Sequence, residues 1–183
     1  FDMWNIYQAA EIQLLALIEA GTSDTQAFYG RGRVDTSSAA NVDATDVATA
    51  SWRGHIGLWG NVWQMCAGLE VSSSGTVKLW KNDGSREFVD TGFTCPAFDG
   101  SNNAYMTALK TGSGNGYDFD DIFFPATTST NAALGTIPDG FWGRSGSAGN
   151  VLYLGASWVD GVRAGLFACY LYHAASDAGT RIG

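Results

Sequence analysis

The strongest hydrophobic pattern lies near the start of the chain. In residues 5–20 apolar side chains recur at helical spacing, and Gly21 follows where glycine commonly ends a helix. The pattern predicts a helix that is apolar over much of its surface and therefore packs against a sheet. A polar, glycine-rich loop is predicted over residues 22–34, and a second, short helix within residues 43–52.

Alternating apolar positions and turn residues predict a hairpin in the middle of the chain. Residues 52–71 begin as a glycine-rich turn and become a strand, and residues 72–75 form a turn. Residues 76–80 are the second strand, and residues 81–84 carry another turn signal. This region therefore contributes at least two neighbouring antiparallel strands.

The second half of the chain is predicted to be mostly loop. Residues 99–116 are largely polar, and residues 127–149 are rich in Ser, Thr, Gly and Ala. Three short strands are predicted to close the chain, over residues 150–158, 164–172 and 180–183. Together these patterns predict an α+β fold, loop-rich, with short antiparallel strands and one or two N-terminal helices.

Composition limits the domain count and the partners. The chain has 183 residues, 45% hydrophobic and 15% charged, so we expect residues 1–183 to form a single domain. Its abrupt start at Phe1 favours the C-terminal part of a longer protein. The formal net charge of -8 argues against nucleic acid and anionic lipid as partners. No apolar run reaches membrane-spanning length, so no membrane insertion is expected.

Residue types for catalysis and metal binding are scarce. Cys66, Cys95 and Cys169 are widely spaced and form no Cys-x-x-Cys pair, so we predict three reduced, buried thiols and no zinc site. His55 and His173 are the only histidines, which excludes a metal site with several imidazoles. No nucleophile elbow or phosphate loop is present. We therefore predict no active site and no cofactor.

One acidic cluster leaves an alternative open. Asp118, Asp120 and Asp121 lie close enough together in the sequence to bind a calcium ion. The spacing of an EF-hand loop, with its glycine and distal glutamate, is absent. A solvated turn is the preferred interpretation of this cluster, and calcium binding is the alternative.

The C-terminal segment, residues 155–183, interleaves two kinds of position. The first kind is small or apolar, and we call these the frame positions: Gly155, Trp158, Gly161, Gly165, Leu166, Phe167, Leu171, Ile182 and Gly183. Trp142 is also assigned to the core or frame. The second kind is chemically mixed. A rigid frame that carries unrelated side chains indicates a binding surface and not a catalytic centre.

Two motifs resemble a known family. The run Trp59-Gly60-Asn61-Val62-Trp63-Gln64, entered through Trp52-Arg53-Gly54, resembles the W-G-N-V/I-W-E/Q motif of C-type-lectin-fold proteins related to formylglycine-generating enzymes. The frame positions are similar to the variable region of proteins diversified by a retroelement. In those systems an error-prone reverse transcriptase mutates the adenines of a template repeat. The resemblance spans nearly the whole chain and implies a C-type lectin fold with a variable region over residues 150–183.

The family's diversified positions map onto ten residues, here called the variable positions: Val159, Asp160, Val162, Arg163, Tyr170, Tyr172, His173, Asp177, Gly179 and Arg181. An Asn codon randomised at its first two bases cannot encode Lys, Glu, Gln, Met or Trp. None of these five residue types occurs in residues 159–183, which agrees with that process. The chain departs from the family pattern at Cys169, where Leu is usual, and at Ala156, where Gly is common.

Strand alternation predicts how the variable region is displayed. Tyr170 and Tyr172 should project on one face while Phe167, Cys169 and Leu171 point into the core. Tyr and Arg dominate binding hot spots and antibody-like contact surfaces, which favours a ligand-binding role. The alternative is that both tyrosines are ordinary half-buried strand residues.

The resemblance implies a receptor-binding domain at a phage tail tip, located on the virion, that attaches to a host-cell surface protein or glycan. It also implies a homotrimer, no cofactor and no enzymatic activity. A variable protein displayed on a bacterial surface is one alternative. A calcium-dependent sugar-binding lectin is another, since Trp158-Val159-Asp160 faintly matches the W-N-D motif of such lectins. Enzymes of this fold need a redox-active cysteine pair or a multi-histidine iron site, which the sequence lacks.

Overall fold

The computed structural model describes residues 3–96, 104–143 and 149–183. Within these ranges the helices are α1 (Ile6–Ala20), α2 (Thr25–Phe28) and α3 (Thr45–Ala48). The strands are β1 (Ser51–Trp52), β2 (His55–Ile56), β3 (Gln64–Val71), β4 (Thr76–Trp80), β5 (Phe88–Thr94), β6 (Ala104–Leu109), β7 (Ser113–Gly114), β8 (Tyr117–Asp118), β9 (Pro125–Ser129), β10 (Gly140–Gly143), β11 (Asn150–Leu154) and β12 (Cys169–Leu171). The predicted α+β class is confirmed. No helix of the described residues is both long enough and apolar enough to cross a membrane.

Local capping chemistry sets the bounds of α1 and confirms the predicted helix. The Asn5 side chain accepts hydrogen bonds from the backbone N–H groups of Tyr7 and Gln8, each at 3.0 Å. The Gln8 side chain reaches back to the Asn5 N–H, which completes a capping box. At the other end Gly21 is left-handed with φ 65°, a conformation that glycine adopts without steric penalty.

The helix packs through one face, in which three of the five buried residues are alanines. α1 lies against β3 and buries Ile6, Ala9, Ala10, Gln13 and Ala16. The prediction that this helix packs on a sheet is confirmed. Of its larger apolar side chains, Ile6 is buried and Ile12 and Leu17 pack partly buried against the core, whereas three others stay exposed. These exposed residues are Leu14, Leu15 and Ile18.

Eight strands form one sheet in the order β5-β4-β3-β11-β12-β10-β6-β9. The predicted hairpin is confirmed as β3 and β4, which pair antiparallel. The expectation of purely antiparallel strands is wrong for one pair. β12 inserts between β11 and β10, and it runs antiparallel to β11 but parallel to β10. The last strand of the chain therefore lies in the middle of the sheet.

Several segments predicted to be loop contain regular structure. β6 lies within residues 99–116, of which 99–103 fall outside the described ranges. β9 and β10 occupy parts of residues 125–143, and the predicted loop's residues 144–148 are not described. The 22–34 loop holds α2. These strands are rich in Thr, Ala and Gly, so pairing within the sheet decides their conformation more than local propensity does.

The predicted C-terminal strands are shorter than expected. β11 ends at Leu154 because Gly155 (φ 87°) and Ala156 (φ 66°) turn the chain into the left-handed region. β12 covers only the last part of residues 164–172. Residues 180–183 contribute a single parallel bridge between Trp63 and Ile182. Most of the C-terminal segment is therefore loop held against the sheet.

Central strands contribute to two hydrophobic clusters on opposite faces. From β10, Phe141 joins the main core that α1 covers, whereas Trp142 joins a second cluster. In the same way Leu152 and Tyr153 of β11 divide between the two, as alternation along a strand requires. The second cluster also holds parts of the C-terminal segment, namely Ala156, Ala164 and Ala168. The C-terminal segment therefore contributes to both clusters, since its Leu166, Phe167 and Leu171 belong to the main core.

Candidate functional site

Burial distinguishes five of the nine frame positions from the variable positions. Gly155, Gly165, Leu166, Phe167 and Leu171 are buried, and Phe167 and Leu171 are fully inaccessible. Three other frame positions are half-buried and one is exposed: Trp158, Gly161, Ile182 and Gly183. All ten variable positions lie in the described part of the chain, and every one is exposed or half-buried. All positions predicted to vary thus reach the surface, which they share with four of the frame positions.

The run 59–63 holds the C-terminal segment through backbone atoms. Its N–H and C=O groups meet the segment at three separate places, which explains why two motifs so far apart in sequence occur together. The bonds are Gly60 N to Gly155 O (2.8 Å), Trp158 N to Asn61 O (3.0 Å), Trp63 N to Arg181 O (2.7 Å) and Gly183 N to Trp63 O (2.9 Å). None of these bonds depends on a side chain of the C-terminal segment.

Two residues of this run adopt conformations that explain their type. Gly60 has φ 71°, and a Cβ there would come closer than 3.0 Å to the carbonyl oxygen of Arg33. Asn61 has φ 61°, a left-handed conformation that asparagine tolerates better than most residues. Its amide also bonds both backbone groups of Ala40, at 2.8 and 3.0 Å. The backbone geometry of this run therefore explains the glycine at position 60 and the asparagine at position 61 of the motif.

Polar side chains outside the segment add further anchors to its backbone. Gln26 Nε2 donates to the carbonyl oxygens of Gly161 (2.8 Å) and Ala164 (2.6 Å). The remaining bonds are Gln13 Nε2 to Leu166 O (2.8 Å), Leu166 N to Thr25 Oγ1 (3.1 Å), Phe167 N to Asp139 Oδ2 (2.8 Å) and Asn150 Nδ2 to Leu171 O (3.1 Å). Sequence reasoning missed these anchors, since no local pattern marks a polar side chain whose partner lies 21 to 153 residues away.

Asp139 is the one anchor among these that carries a carboxyl group, and it is buried. Its residue is 2% exposed, and burial raises the pKa of its carboxyl well above the usual value. The N–H of Phe167 opposes this rise, whereas the charge of Asp24 adds to it. A Cβ on Gly165 would lie closer than 3.0 Å to both carboxylate oxygens. Glycine at this frame position is therefore required by the room that Asp139 occupies.

An aromatic cluster lies at the surface of the second core, formed by Trp63, Trp142, Tyr170, Tyr172 and His173. The two tryptophans are buried and meet edge to face, with ring centroids 5.3 Å apart. The half-buried ring of Tyr170 lies 4.9 Å from Trp63 and 6.2 Å from Trp142. Tyr172 and His173 flank Tyr170 at 5.9 and 5.2 Å. The tryptophans thus form a buried floor beneath Tyr170, and the other two variable side chains pack on Tyr170.

Hydrogen bonds connect three of the variable residues. The Tyr170 hydroxyl and His173 Nε2 are 3.2 Å apart, and His173 Nδ1 lies 2.9 Å from Asp177 Oδ2. Asp177 Oδ2 also accepts from the backbone N–H of Ala174 at 3.1 Å. Burial raises the pKa of Tyr170, and the positive charge of Arg181 opposes that rise. Tyr170 therefore contacts both Tyr172 and His173, and His173 links it to Asp177.

Two further variable residues, Arg163 and Asp160, lie beside this cluster, and their side chains make different kinds of contact. The Arg163 guanidinium carbon lies 6.0 Å from the ring centroid of Trp142, in a cation–π arrangement. The carboxylate of Asp160 instead accepts from the N–H and hydroxyl of Ser157, at 2.8 and 2.7 Å. Asp160 therefore stabilises its own turn and offers less to a ligand than its variable position implies.

The remaining variable positions lie elsewhere on the segment. Val159 is 44% exposed and Val162 is 68% exposed. Val162 lines a cleft of about 340 Å³ together with Gln26 and Tyr105. Gly179 is exposed, and a Cβ there would meet nothing within 4 Å. The variable positions therefore cover more than one patch of surface.

The carboxylates and thiols that could bind a metal ion or undergo redox chemistry are hydrogen-bonded or buried in the structure. Asp118 caps the short 3₁₀ turn Phe119–Asp121 by accepting from the Asp120 N–H at 2.8 Å, and Asp121 accepts from Asn82 at 2.8 Å. Among the described residues, no three His, Cys, Asp or Glu side chains group as a metal site would require. The prediction of buried thiols is confirmed, and burial raises the pKa of Cys66 and Cys95 to about 12.

Comparison with known proteins finds no matching family model and no matching curated protein.

Proposed function

We propose that this chain is a ligand-binding domain with a C-type lectin fold, in which a retroelement diversifies the C-terminal segment. In this proposal the domain attaches a phage tail to a protein or glycan of the host-cell surface. The observation that supports it is that the backbone and the side chains of residues 155–183 have separate roles. Backbone atoms hold the segment in place, and the exposed side chains are left to contact a ligand.

The anchoring is independent of the displayed side chains. The run 59–63, together with Gln13, Gln26, Asp139 and Asn150, bonds backbone groups of the segment. Every residue type except proline offers the same backbone N–H and C=O groups, so most substitutions leave these bonds intact. Such a segment tolerates changes at its variable positions without losing its fold, which is what a diversified region requires.

The chemistry of the displayed surface suits recognition of a macromolecule. Tyr170 and Tyr172 offer large contact areas with few rotatable bonds; Tyr170 packs on the two buried tryptophans, and Tyr172 packs on Tyr170. Arg163 and Arg181 supply directed hydrogen-bond donors at the same surface. Residues of these types supply much of the binding energy in many interfaces. Several copies of the domain on one particle, as in the implied homotrimer, raise avidity when each contact is weak.

The alternatives differ in setting or in mechanism. Display of the same binding domain on a bacterial surface would use the same residues. A calcium-dependent lectin gains no support from the carboxylates at 118–121, since Asp118 and Asp121 already accept hydrogen bonds within the protein. The diversified binding domain therefore accounts for more of the observed contacts.

A first test examines the source of the diversity. We expect the DNA downstream of this coding sequence to hold an asparagine-rich near-copy of codons 155–183, next to a reverse transcriptase gene. The mismatches between copy and gene should be confined to adenines and concentrated at the ten variable positions. Sequencing the locus checks this. A locus without such a repeat would contradict diversification and leave ligand binding to be judged separately.

A second test examines the binding surface. We expect fluorescent tetramers of the domain to stain some strains in a panel of intact bacteria, and staining to fall by about tenfold or more when four residues are changed together to alanine. These are Tyr170, Tyr172, His173 and Arg181. The matched control replaces exposed residues of similar type elsewhere on the surface: Arg53, His55, Arg86 and Phe88. Staining that survives the first variant, or is lost equally in the control, would refute the site.

A further inference from the structure

The carboxylate of Asp177 has one oxygen bonded within the protein and one that is not. Oδ2 accepts from His173 Nδ1 at 2.9 Å and from the Ala174 N–H at 3.1 Å. Within the described part of the chain no donor bonds Oδ1, and the side chain is 45% exposed. Two hydrogen bonds therefore hold the carboxylate in one orientation and leave its other oxygen, on a side chain open to solvent, to a ligand.

The carboxylate also determines which nitrogen of His173 carries a hydrogen. An ionised carboxylate only accepts, so the Nδ1 atom that faces Asp177 must be protonated. In a neutral imidazole the other nitrogen, Nε2, is then an acceptor, and the Tyr170 hydroxyl 3.2 Å away donates to it. Turning the ring over would place carbon atoms against both partners and break both bonds. The observed ring orientation therefore fixes the direction of each hydrogen bond.

This small network uses its own donors and leaves acceptors. The hydrogen on His173 Nδ1 goes to Asp177, and the hydroxyl hydrogen of Tyr170 goes to His173. Asp177 Oδ1 then faces the ligand as an acceptor with a negative charge. A group that only accepts, such as a sulfate or a phosphate, would meet the carboxylate with no hydrogen between them. The ligand group at this place must carry an O–H or an N–H.

Asp177 is well placed for recognition because its neighbours are aromatic. The His173 ring lies 5.2 Å from Tyr170 and 6.1 Å from Tyr172, measured between ring centroids. Ligand sites commonly combine aromatic surface with a few oriented polar groups that provide specificity. A carboxylate that is already held in place loses less conformational entropy when it binds. The network therefore supplies an oriented acceptor at the edge of an aromatic surface.

We propose that the receptor donates an O–H or N–H hydrogen bond to Asp177 Oδ1, and that His173 is the positioning residue that holds this carboxylate. The inference rests on the proposed receptor-binding function and adds the chemistry of the receptor group that meets this part of the surface. Tyr170 contributes by holding the His173 ring in the orientation that Asp177 requires.

Protonation of His173 provides a readout that a purely structural role would not change. Imidazoles ordinarily titrate between about pH 5 and 8. A second hydrogen on His173 places a positive charge beside the Asp177 carboxylate, which weakens that carboxylate as an acceptor for another donor. The contribution of Asp177 to binding should therefore be larger at pH 8 than at pH 5.

Other titratable groups lie around this network. Those near His173 or Tyr170 are three tyrosines, an aspartate and an arginine: Tyr153, Tyr170, Tyr172, Asp160 and Arg181. Burial raises the pKa of Tyr153 and of Tyr170 above the usual value for tyrosine, so both stay neutral at pH 8. Of the side-chain types present here, only imidazole ordinarily titrates between about pH 5 and 8. A change in the contribution of Asp177 across that range therefore reports the charge of His173.

The hydrogen positions are measured on the full chain without a receptor. In protein labelled with ¹⁵N at pH 8, long-range ¹H–¹⁵N correlations should show His173 protonated at Nδ1 and unprotonated at Nε2. Asp177→Ala should remove this preference. Asp43→Ala, at an exposed aspartate elsewhere on the surface, should leave it unchanged. A wild-type His173 that carries its hydrogen on Nε2 alone overturns the proposal.

The contact itself is measured with fluorescent tetramers on intact cells of a strain that they stain. Asp177→Asn should raise the apparent Kd by about tenfold at pH 8, because it replaces a charged acceptor by a neutral one, and by a smaller factor at pH 5. In a His173→Phe background the factor should be the same at both pH values. The matched control is Asp43→Asn, which should leave the apparent Kd unchanged at both.

The possible failures are distinguishable. Asp177→Asn that binds as tightly as wild type at pH 8 overturns this proposal and leaves the receptor-binding function in place. An Asp177→Asn factor that is equal at pH 5 and pH 8 with His173 present overturns its assignment as the positioning residue. Wild-type tetramers that stain no strain overturn the proposed function, and the contact assigned to Asp177 fails with it.

Discussion

Replacing Phe167 with alanine is expected to destabilise the protein by about 3–5 kcal/mol, the range for truncating a buried aromatic ring. Phe167 is 0% exposed and belongs to the main core, where its ring centroid lies 5.1 Å from that of Phe123. Truncation removes apolar surface from the core and leaves a cavity that the anchored backbone cannot close. Urea unfolding followed by tryptophan fluorescence measures the change.

The control for this prediction is Tyr172→Ala, five residues further along the segment. Tyr172 is only half-buried and occupies a variable position, so its loss should lower stability by less than about 1 kcal/mol. The proposed division between frame and variable positions requires this difference. Equal losses in both variants would show that the displayed side chains are structural, and the alternative of ordinary half-buried strand residues would then hold.

Gly165→Ala is expected to destabilise the protein by about 3 kcal/mol or more, near or above the upper end of ordinary overpacking. A Cβ at Gly165 would meet both carboxylate oxygens of Asp139 closer than 3.0 Å. Asp139 cannot move aside freely, because it is 2% exposed and accepts the N–H of Phe167 at 2.8 Å. The clash therefore breaks an anchor of the C-terminal segment as well as straining the core.

Gly179→Ala is the matched control, since both glycines lie in the same segment and neither has a positive φ. A Cβ at Gly179 would meet nothing within 4 Å. The free energy of unfolding of this variant should therefore lie within about 0.5 kcal/mol of the wild-type value. The same urea titration measures both variants. A Gly165→Ala protein as stable as Gly179→Ala would contradict the packing of Gly165 on Asp139.

Local signals in the sequence were sufficient for α1 and for the β3–β4 hairpin. The bounds of α1 depend on Asn5, Gln8 and Gly21, which act within a few residues of themselves. The hairpin depends on the turn between Val71 and Thr76, closed by the Ser72 N–H to Thr76 O bond at 2.8 Å. In both cases the deciding interactions join neighbours in the chain, so one sequence is enough to predict them.

The prediction of loop was wrong for three strands because their conformation depends on partners that are distant in the chain. β6, β9 and β10 are short and contain Thr, Ala and Gly, which carry little strand preference of their own. Their conformation is decided by partners in the sheet, such as Phe141 pairing with Cys169 in the parallel pair. The alternation of apolar and polar residues in a sequence indicates which face of a sheet each residue occupies. It does not indicate which other strand pairs with that segment.

The candidate site was likewise predictable from the sequence in part and dependent on the tertiary structure in part. The residue types of 155–183 were enough to predict that the mixed positions reach the surface and that five of the nine frame positions are buried, because burial selects residue type position by position. The position of β12 between β10 and β11, the tryptophan floor under Tyr170, and the anchors Gln13 and Asp139 were decided only by the tertiary structure. Gln13 and Leu166 are 153 residues apart. Contacts at such separations depend on how the whole chain is arranged, and no local pattern of residues carries that arrangement.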